Sequence, residues 1–216
     1  MHALYPPARL WPALALVVLF AVPASAQDSA ETAPPAGAPD PSVTALPIGT
    51  NEWTLAGAAG WGRPIFGYGT DNAFAFPSLS WARVLTRPAG HGALRGQFEW
   101  GIEVIPLFGQ YHPESALGVG VSPLVWRWHF MPRGPIAPYA ELGGGVLWTD
   151  VDVPSDTTRA NYTAHVTLAV RLAGAKARGA IIGYRFEHIS NGNRADTNPS
   201  VNAHTVIVGW SLFHKP

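Results

Sequence analysis

Residues 94–108 read LRGQFEWGIEVIPLF, and their alternation decides the fold. Leu94, Gly96, Phe98, Trp100, Ile102, Val104, Pro106 and Phe108 share one parity, while Arg95, Gln97, Glu99, Gly101 and Glu103 share the other. A β-strand projects successive side chains to opposite sides, so the segment has one apolar face and one charged face. Residues 162–172 repeat the pattern, with Tyr162, Ala164, Val166, Leu168, Val170 and Leu172 set against Thr163, His165, Thr167, Ala169 and Arg171.

Around Ser122-Pro123 the apolar parity flips, from Leu117, Val119 and Val121 to Leu124, Trp126, Trp128 and Phe130. A β-bulge accounts for both the flip and the proline. Strands are predicted at 52–62, 73–87, 94–108, 116–130, 136–149, 161–173, 178–190 and 203–213, divided by Gly/Pro/Asn/Asp clusters. Segments of about ten alternating residues between turns are the signature of a membrane barrel. The predicted fold is all-β, an eight-stranded antiparallel transmembrane β-barrel.

The orientation follows from charge. The polar face holds Arg95, Glu99, Glu103, Arg127, Glu141, Arg171, Arg185 and Glu187, four of each sign. A barrel in lipid can bury such residues as a paired interior network while its aromatic side chains meet acyl chains. A soluble lipocalin-like barrel is the alternative, with the faces reversed. The chain is only 13% charged and carries nine Trp in 216 residues, against about 25% charged residues in a soluble domain. That composition favours the membrane. Basic and acidic residues balance at 14 each, so nothing points to a nucleic-acid partner. With no cysteine, disulfides, thiol nucleophiles and zinc–thiolate sites are excluded.

Residues 1–26 have the layout of a secretory signal peptide, with an apolar run from Leu10 to Val22 and a small-residue site at Ala24-Ser25-Ala26. Residues 27–50 are rich in Pro and Ala and are expected to form a disordered tether, and 51–216 the barrel.

Chemistry concentrates near the C-terminus. Ile182, Tyr184, Phe186, His188 and Ser190 share the lipid-facing parity, while Arg185 and Glu187 point inward. An unsatisfied polar group facing lipid is costly, yet His188 and Ser190 lie two residues apart there. Neighbours i and i+2 on a strand face can interact, which makes His188 a candidate general base and Ser190 a candidate nucleophile. Asn202 and His204 share the outward parity of the last strand, and antiparallel pairing is expected to set Asn202 near Ser190 and His204 near His188. Donors for an oxyanion would come from the turn, where Asn191, Gly192 and Asn198 are candidates. Such a group on a barrel wall suits an ester bond in a lipid lying against it.

H-x-S alone is a common tripeptide, but the surrounding stretch resembles the lipid A 3-O-deacylase family, the PagL-like outer-membrane hydrolases. The resemblance is carried by Tyr184-Arg185-Phe186, His188-Ile189-Ser190-Asn191, Asn198-Pro199, Asn202 and Val208-Gly209-Trp210-Ser211, with further similar pieces at 95–108, 118–128 and 138–147. It implies an eight-stranded outer-membrane barrel that removes the ester-linked acyl chain at position 3 of lipid A without a metal or other cofactor. It matches His188 to the catalytic base, Ser190 to the nucleophile and Asn198 to an asparagine of the oxyanion site.

One departure stands out. Where the family pattern has a Glu as the triad acid, this chain has Asn202. Asp196 or His204 is then an expected helper, while Glu187 is excluded by parity. The implied partners are lipopolysaccharide and the outer membrane, with a homodimer left open. The competing readings are a non-catalytic barrel, structural or lipopolysaccharide-binding, and a narrow transport barrel, which the interior charges would plug.

Overall fold

The computed structural model describes residues 45–64, 69–173 and 178–214. The expected signal peptide and most of the expected tether lie outside them. Among these residues eight strands run in chain order: β1 (Asn51–Gly62), β2 (Ala73–Val84), β3 (Gly96–His112), β4 (Ala116–Phe130), β5 (Ile136–Thr149), β6 (Ala160–Ala173), β7 (Arg178–Ser190) and β8 (Val201–His214). Each pairs antiparallel with its neighbour in sequence. β8 returns to β1, with Leu212 opposite Trp53 and His204 opposite Trp61, so the barrel closes and no edge is left. The strands run 12 to 17 residues, more than the roughly 9–11 a membrane crossing needs.

The faces divide as the alternation predicts. Trp53, Leu55, Trp126, Leu168, Val208 and Trp210 stand on the outside, each 45% or more exposed. That surface cannot face water on a monomer of this size, and it suits hydrocarbon.

Inside, two layers fill the bore. At the end formed by the 63–72, 150–159 and 191–200 connections, Phe74, Phe76, Phe108, Leu147, Ile189 and Val201 form an apolar plug. Beyond it lies an ion network. The Arg127 Nε and Nη2 donate to Glu141 Oε2 at 2.9 and 2.7 Å, and its Nη1 donates to Glu52 Oε2 at 2.7 Å. The Arg171 Nη2 reaches the other Glu52 oxygen at 2.6 Å. Arg185 grips Glu103 through both terminal nitrogens at 3.0 and 3.1 Å. A cavity of about 20 Å³ remains between Arg127, Glu141 and Arg185, room for a single water and not for a conduit.

Four expectations need correction. β2 ends at Val84, not 87, because the chain turns through Thr86, whose hydroxyl accepts the Phe98 N–H at 2.9 Å, and through Pro88. β3 begins at Gly96, so Leu94 closes a short 3₁₀ turn (Gly92–Leu94) and Arg95 is exposed beyond the strand, outside the interior network. Glu52 takes part instead, together with His129, whose Nε2 lies 2.8 Å from Glu99 Oε2, and His165, 3.4 Å from Glu141 Oε1. Finally, Phe108 points inward and is 1% exposed. The register slips between Ile105 and Phe108, and Pro106 and Leu107 are both exposed. Pro106 has no N–H to give the ladder, which makes the bulge there inexpensive.

The bulge expected at Ser122-Pro123 is present: the register slips between Val121 and Leu124, and both Pro123 and Leu124 are exposed. The segment before β1 is held against the barrel. Leu46 exchanges hydrogen bonds with the Gln97 side chain at 2.9 and 2.8 Å, and the Gly49 N–H donates to the Val84 carbonyl.

Candidate active site

The β7–β8 pair is anchored from within. Ile189 and Val201 are cross-strand partners, both buried in the apolar plug at 1% and 0% exposure. Their inward parity turns His188, Ser190 and Asn202 to the outer wall at its loop end. His188 and Ser190 are half-buried, and Asn202 is buried.

His188 and Asn202 are direct partners across the ladder, and His188 Nδ1 lies 2.7 Å from Asn202 Oδ1. An amide oxygen only accepts, so Nδ1 carries the proton, and in the neutral ring Nε2 keeps its lone pair. The register expected from the sequence is therefore off by two residues. Asn202 pairs with His188 and not Ser190, and His204 pairs with Phe186. The cause is that β8 begins at Val201, two residues earlier than the alternation suggests.

Asn202 sits on the lipid-facing parity yet is buried, with Arg63 and Gly69 lying against it. The Arg63 N–H donates to the Asn202 carbonyl at 2.9 Å, and a Cβ on Gly69, whose φ is +113°, would come within 3.0 Å of Asn202 Nδ2. This contact cannot be read from the sequence, since it joins positions about 135 residues apart.

Ser190 lies opposite Tyr162 on β6. Its hydroxyl and the free Nε2 of His188 share the outer face but are not hydrogen-bonded to each other. Catalytic hydrogen bonds are often long in an empty site and tighten when substrate arrives.

The turn is built by its own asparagines. The Asn191 N–H donates to Asn198 Oδ1 at 3.2 Å, the Asn191 side chain donates to the Thr197 carbonyl at 2.8 Å, and its Oδ1 accepts the Asn193 N–H at 2.8 Å. Asn198 Nδ2 donates to Asn193 Oδ1 at 2.9 Å. Asn191 is fully buried and its hydrogen-bonding groups are engaged, which makes it a scaffold. Gly192 and Asn193 both have left-handed φ, near +63° and +60°. Among the described residues, the Gly192 N–H has no acceptor, so it is a free donor two residues after Ser190; Asn198 retains one amide N–H.

Asp196 is exposed in the loop and Glu187 is buried in the bore. His204 is held elsewhere, its Nδ1 2.6 Å from the Tyr184 hydroxyl and its ring beside Trp61 and Phe186. Among the described residues, Glu52, Glu99 and His129 bring ligand atoms within 4.8 Å of one another, but Glu52 already faces two guanidinium groups, and the cluster lies in the bore, away from this wall.

Residues 76–211 match the family model described as lipid A 3-O-deacylase (PagL). Among solved structures, the chain resembles the outer membrane enzyme PagL at 14% identity and a TM-score of 0.55, over 74% of this chain and 98% of that one. It resembles Neisserial surface protein A (NspA) at 13% identity and a TM-score of 0.53, over 76% of this chain and 98% of that one. These likenesses are of fold, that of an outer-membrane barrel. No curated protein sequence matches the chain.

Proposed function

Because the chain belongs to the lipid A 3-O-deacylase (PagL) family, we propose that it is a lipid esterase that removes an ester-linked 3-hydroxyacyl chain from lipid A of lipopolysaccharide. The observation that carries this reading is the His188–Asn202 hydrogen bond on the outer wall, which leaves a basic nitrogen on the face shared with Ser190.

In the proposed reaction the acyl chain lies along the apolar outer wall and the ester carbonyl comes to Ser190. His188 Nε2 takes the Ser190 proton as Oγ attacks. The developing oxyanion is met by the Gly192 N–H and the remaining N–H of Asn198. Collapse expels the sugar hydroxyl, which recovers the proton from His188. Water activated by the same imidazole then releases the fatty acid from the serine. No step needs a metal or cofactor.

Asn202 supplies orientation without charge. In a serine protease, changing the triad Asp to Asn costs about 10⁴ in turnover because the imidazole is held in the wrong tautomer. Here the amide oxygen faces Nδ1, so the tautomer is right and only the charge that would stabilise imidazolium is missing.

The open Ser190–His188 contact favours a second reading, a barrel that binds lipopolysaccharide without cutting it. One experiment separates them. The wild type, Ser190→Ala and His188→Ala are expressed in the outer membrane of a Gram-negative host, and extracted lipid A is weighed. Loss of one hydroxyacyl chain with the wild type alone is expected. Unchanged lipid A with all three, given heat-modifiable migration of the folded barrel, supports the non-catalytic barrel.

A further inference from the structure

On the esterase reading a sugar headgroup must be placed as well as an ester, and Ser190 ends β7, where the strand runs into the 191–200 connection. One cation is fixed at that rim. Arg194 is exposed, yet its guanidinium lies over the Tyr162 ring, 4.8 Å from the centroid. Its Nε donates to the Asn191 carbonyl at 2.9 Å, and its Nη2 donates to the Ala160 carbonyl.

Tyr162 is the cross-strand partner of Ser190, so the cation is pinned against the nucleophile's neighbour. Gly192 packs on the same ring; a Cβ there would approach Tyr162 Cδ2 and Cε2 to 2.9 Å. The Tyr162 ring thus contacts both the Gly192 backbone and the Arg194 guanidinium.

An exposed arginine ordinarily keeps its side-chain freedom. Here that freedom is already lost before any ligand arrives. Every group that holds Arg194 is neutral: two backbone carbonyls and a ring face. Among the described residues, no carboxylate lies within ion-pair distance of it. The Nη1 donors are uncommitted, and a planar guanidinium fork matches the oxygens of a phosphate.

We infer that Arg194 recognises a phosphate on the sugar headgroup of the lipid substrate and so registers the ester at Ser190. This inference rests on the esterase reading. Arg194 acts by positioning, since it does not touch the reacting atoms.

The test uses the full chain in detergent micelles, with phosphorylated lipid A and the same lipid stripped of its phosphates. Arg194→Gln and Arg194→Lys are compared with Arg95→Gln, which removes the same charge at the opposite end of the barrel. A charge-assisted hydrogen bond contributes about 1.5–3 kcal/mol, so Arg194→Gln is expected to raise KM for the phosphorylated lipid by about 10- to 150-fold with kcat preserved. The stripped lipid should be cut as well by Arg194→Gln as by the wild type, Arg194→Lys should fall between, and Arg95→Gln should match the wild type. Equal losses on both lipids would show that Arg194 only staples the loop, and no loss on either would likewise overturn the proposal. If the wild type cuts neither lipid, the esterase reading fails separately. Binding to Ser190→Ala then decides: weaker capture of phosphorylated lipid A by Ser190→Ala/Arg194→Gln, with capture of phosphatidylglycerol micelles unchanged, sustains the recognition. Equal loss on both, or none, ends it.

Discussion

His188 Nδ1 and Asn202 Oδ1 stand 2.7 Å apart across the β7–β8 ladder, on the wall of the barrel that faces lipid. The pair solves two problems together. It satisfies polar groups in a costly environment, and it fixes which imidazole nitrogen is basic. If Asn202 works through orientation, Asn202→Ala should lower kcat by about 10²-fold or more, within the 10²–10⁴ range of general-base catalysis, with KM little changed. Asn202→Glu should raise kcat only modestly, since the tautomer is already set. Steady-state deacylation of lipid A in micelles measures both, and a gain with Glu as large as the protease Asp–Asn difference would mean that Asn202 cripples the native site.

Gly192 has a left-handed φ of +63° and no room for a Cβ beside Tyr162. Gly192→Ala imposes both the backbone strain, about 1–3 kcal/mol for a non-glycine residue there, and a clash with the ring. The turn must shift, and with it the free N–H proposed for the oxyanion. The expected result is a barrel that still folds, judged by heat-modifiable migration, with kcat reduced by about 10²-fold or more, as when an oxyanion donor is lost. Unimpaired turnover would remove Gly192 from the oxyanion site.

The fold is legible because lipid on one side and a filled bore on the other impose a two-residue period on every strand. Where proline interrupts the period, legibility depends on the residues just after it. At Ser122-Pro123 the flip shows in Leu124, Trp126 and Trp128, whereas at Pro106 it is hidden, because Leu107 and Phe108 are both apolar and either could face out. Glu52 escapes a reading of the pattern because it lies near the start of β1, where small residues such as Ala56, Gly57 and Ala58 give little contrast between faces. His188 and Ser190 are legible from parity. Their partners are not, because strand register depends on where the 191–200 turn lets go, and Arg63 and Gly69, which lie against Asn202, are distant in sequence.

The interior network supports a direct stability prediction. Arg127 bridges Glu141 and Glu52 from 4% exposure, with Glu99 3.5 Å away. Arg127→Met leaves buried carboxylates facing one another, and breaking a buried pair from one side costs about 3–5 kcal/mol. Arg95→Met, the same substitution outside the network, should cost little. Urea unfolding in detergent, monitored by tryptophan fluorescence, should show a lowered midpoint for Arg127→Met alone. Pairing Arg127→Met with Glu141→Gln should recover part of the loss, since one orphaned charge is then gone.

The assignment of the outer wall to hydrocarbon can be tested at Val208, near the middle of β8, 54% exposed and opposite Ile182 and Gly57. In a soluble barrel, Val208→Arg would sit in water at almost no cost. In a membrane barrel, an arginine on the lipid face near the midplane costs about 2–4 kcal/mol, falling toward zero at the interfaces. Comparing Val208→Arg with His214→Arg, at the end of the same strand, therefore separates depth from chemistry. Folding into lipid vesicles, read by heat-modifiable migration across a urea series, should show a large loss for the first and little for the second. Equal tolerance of both would mean that the apolar wall does not face acyl chains, and the lipid-side placement of His188 and Ser190 would fall with it.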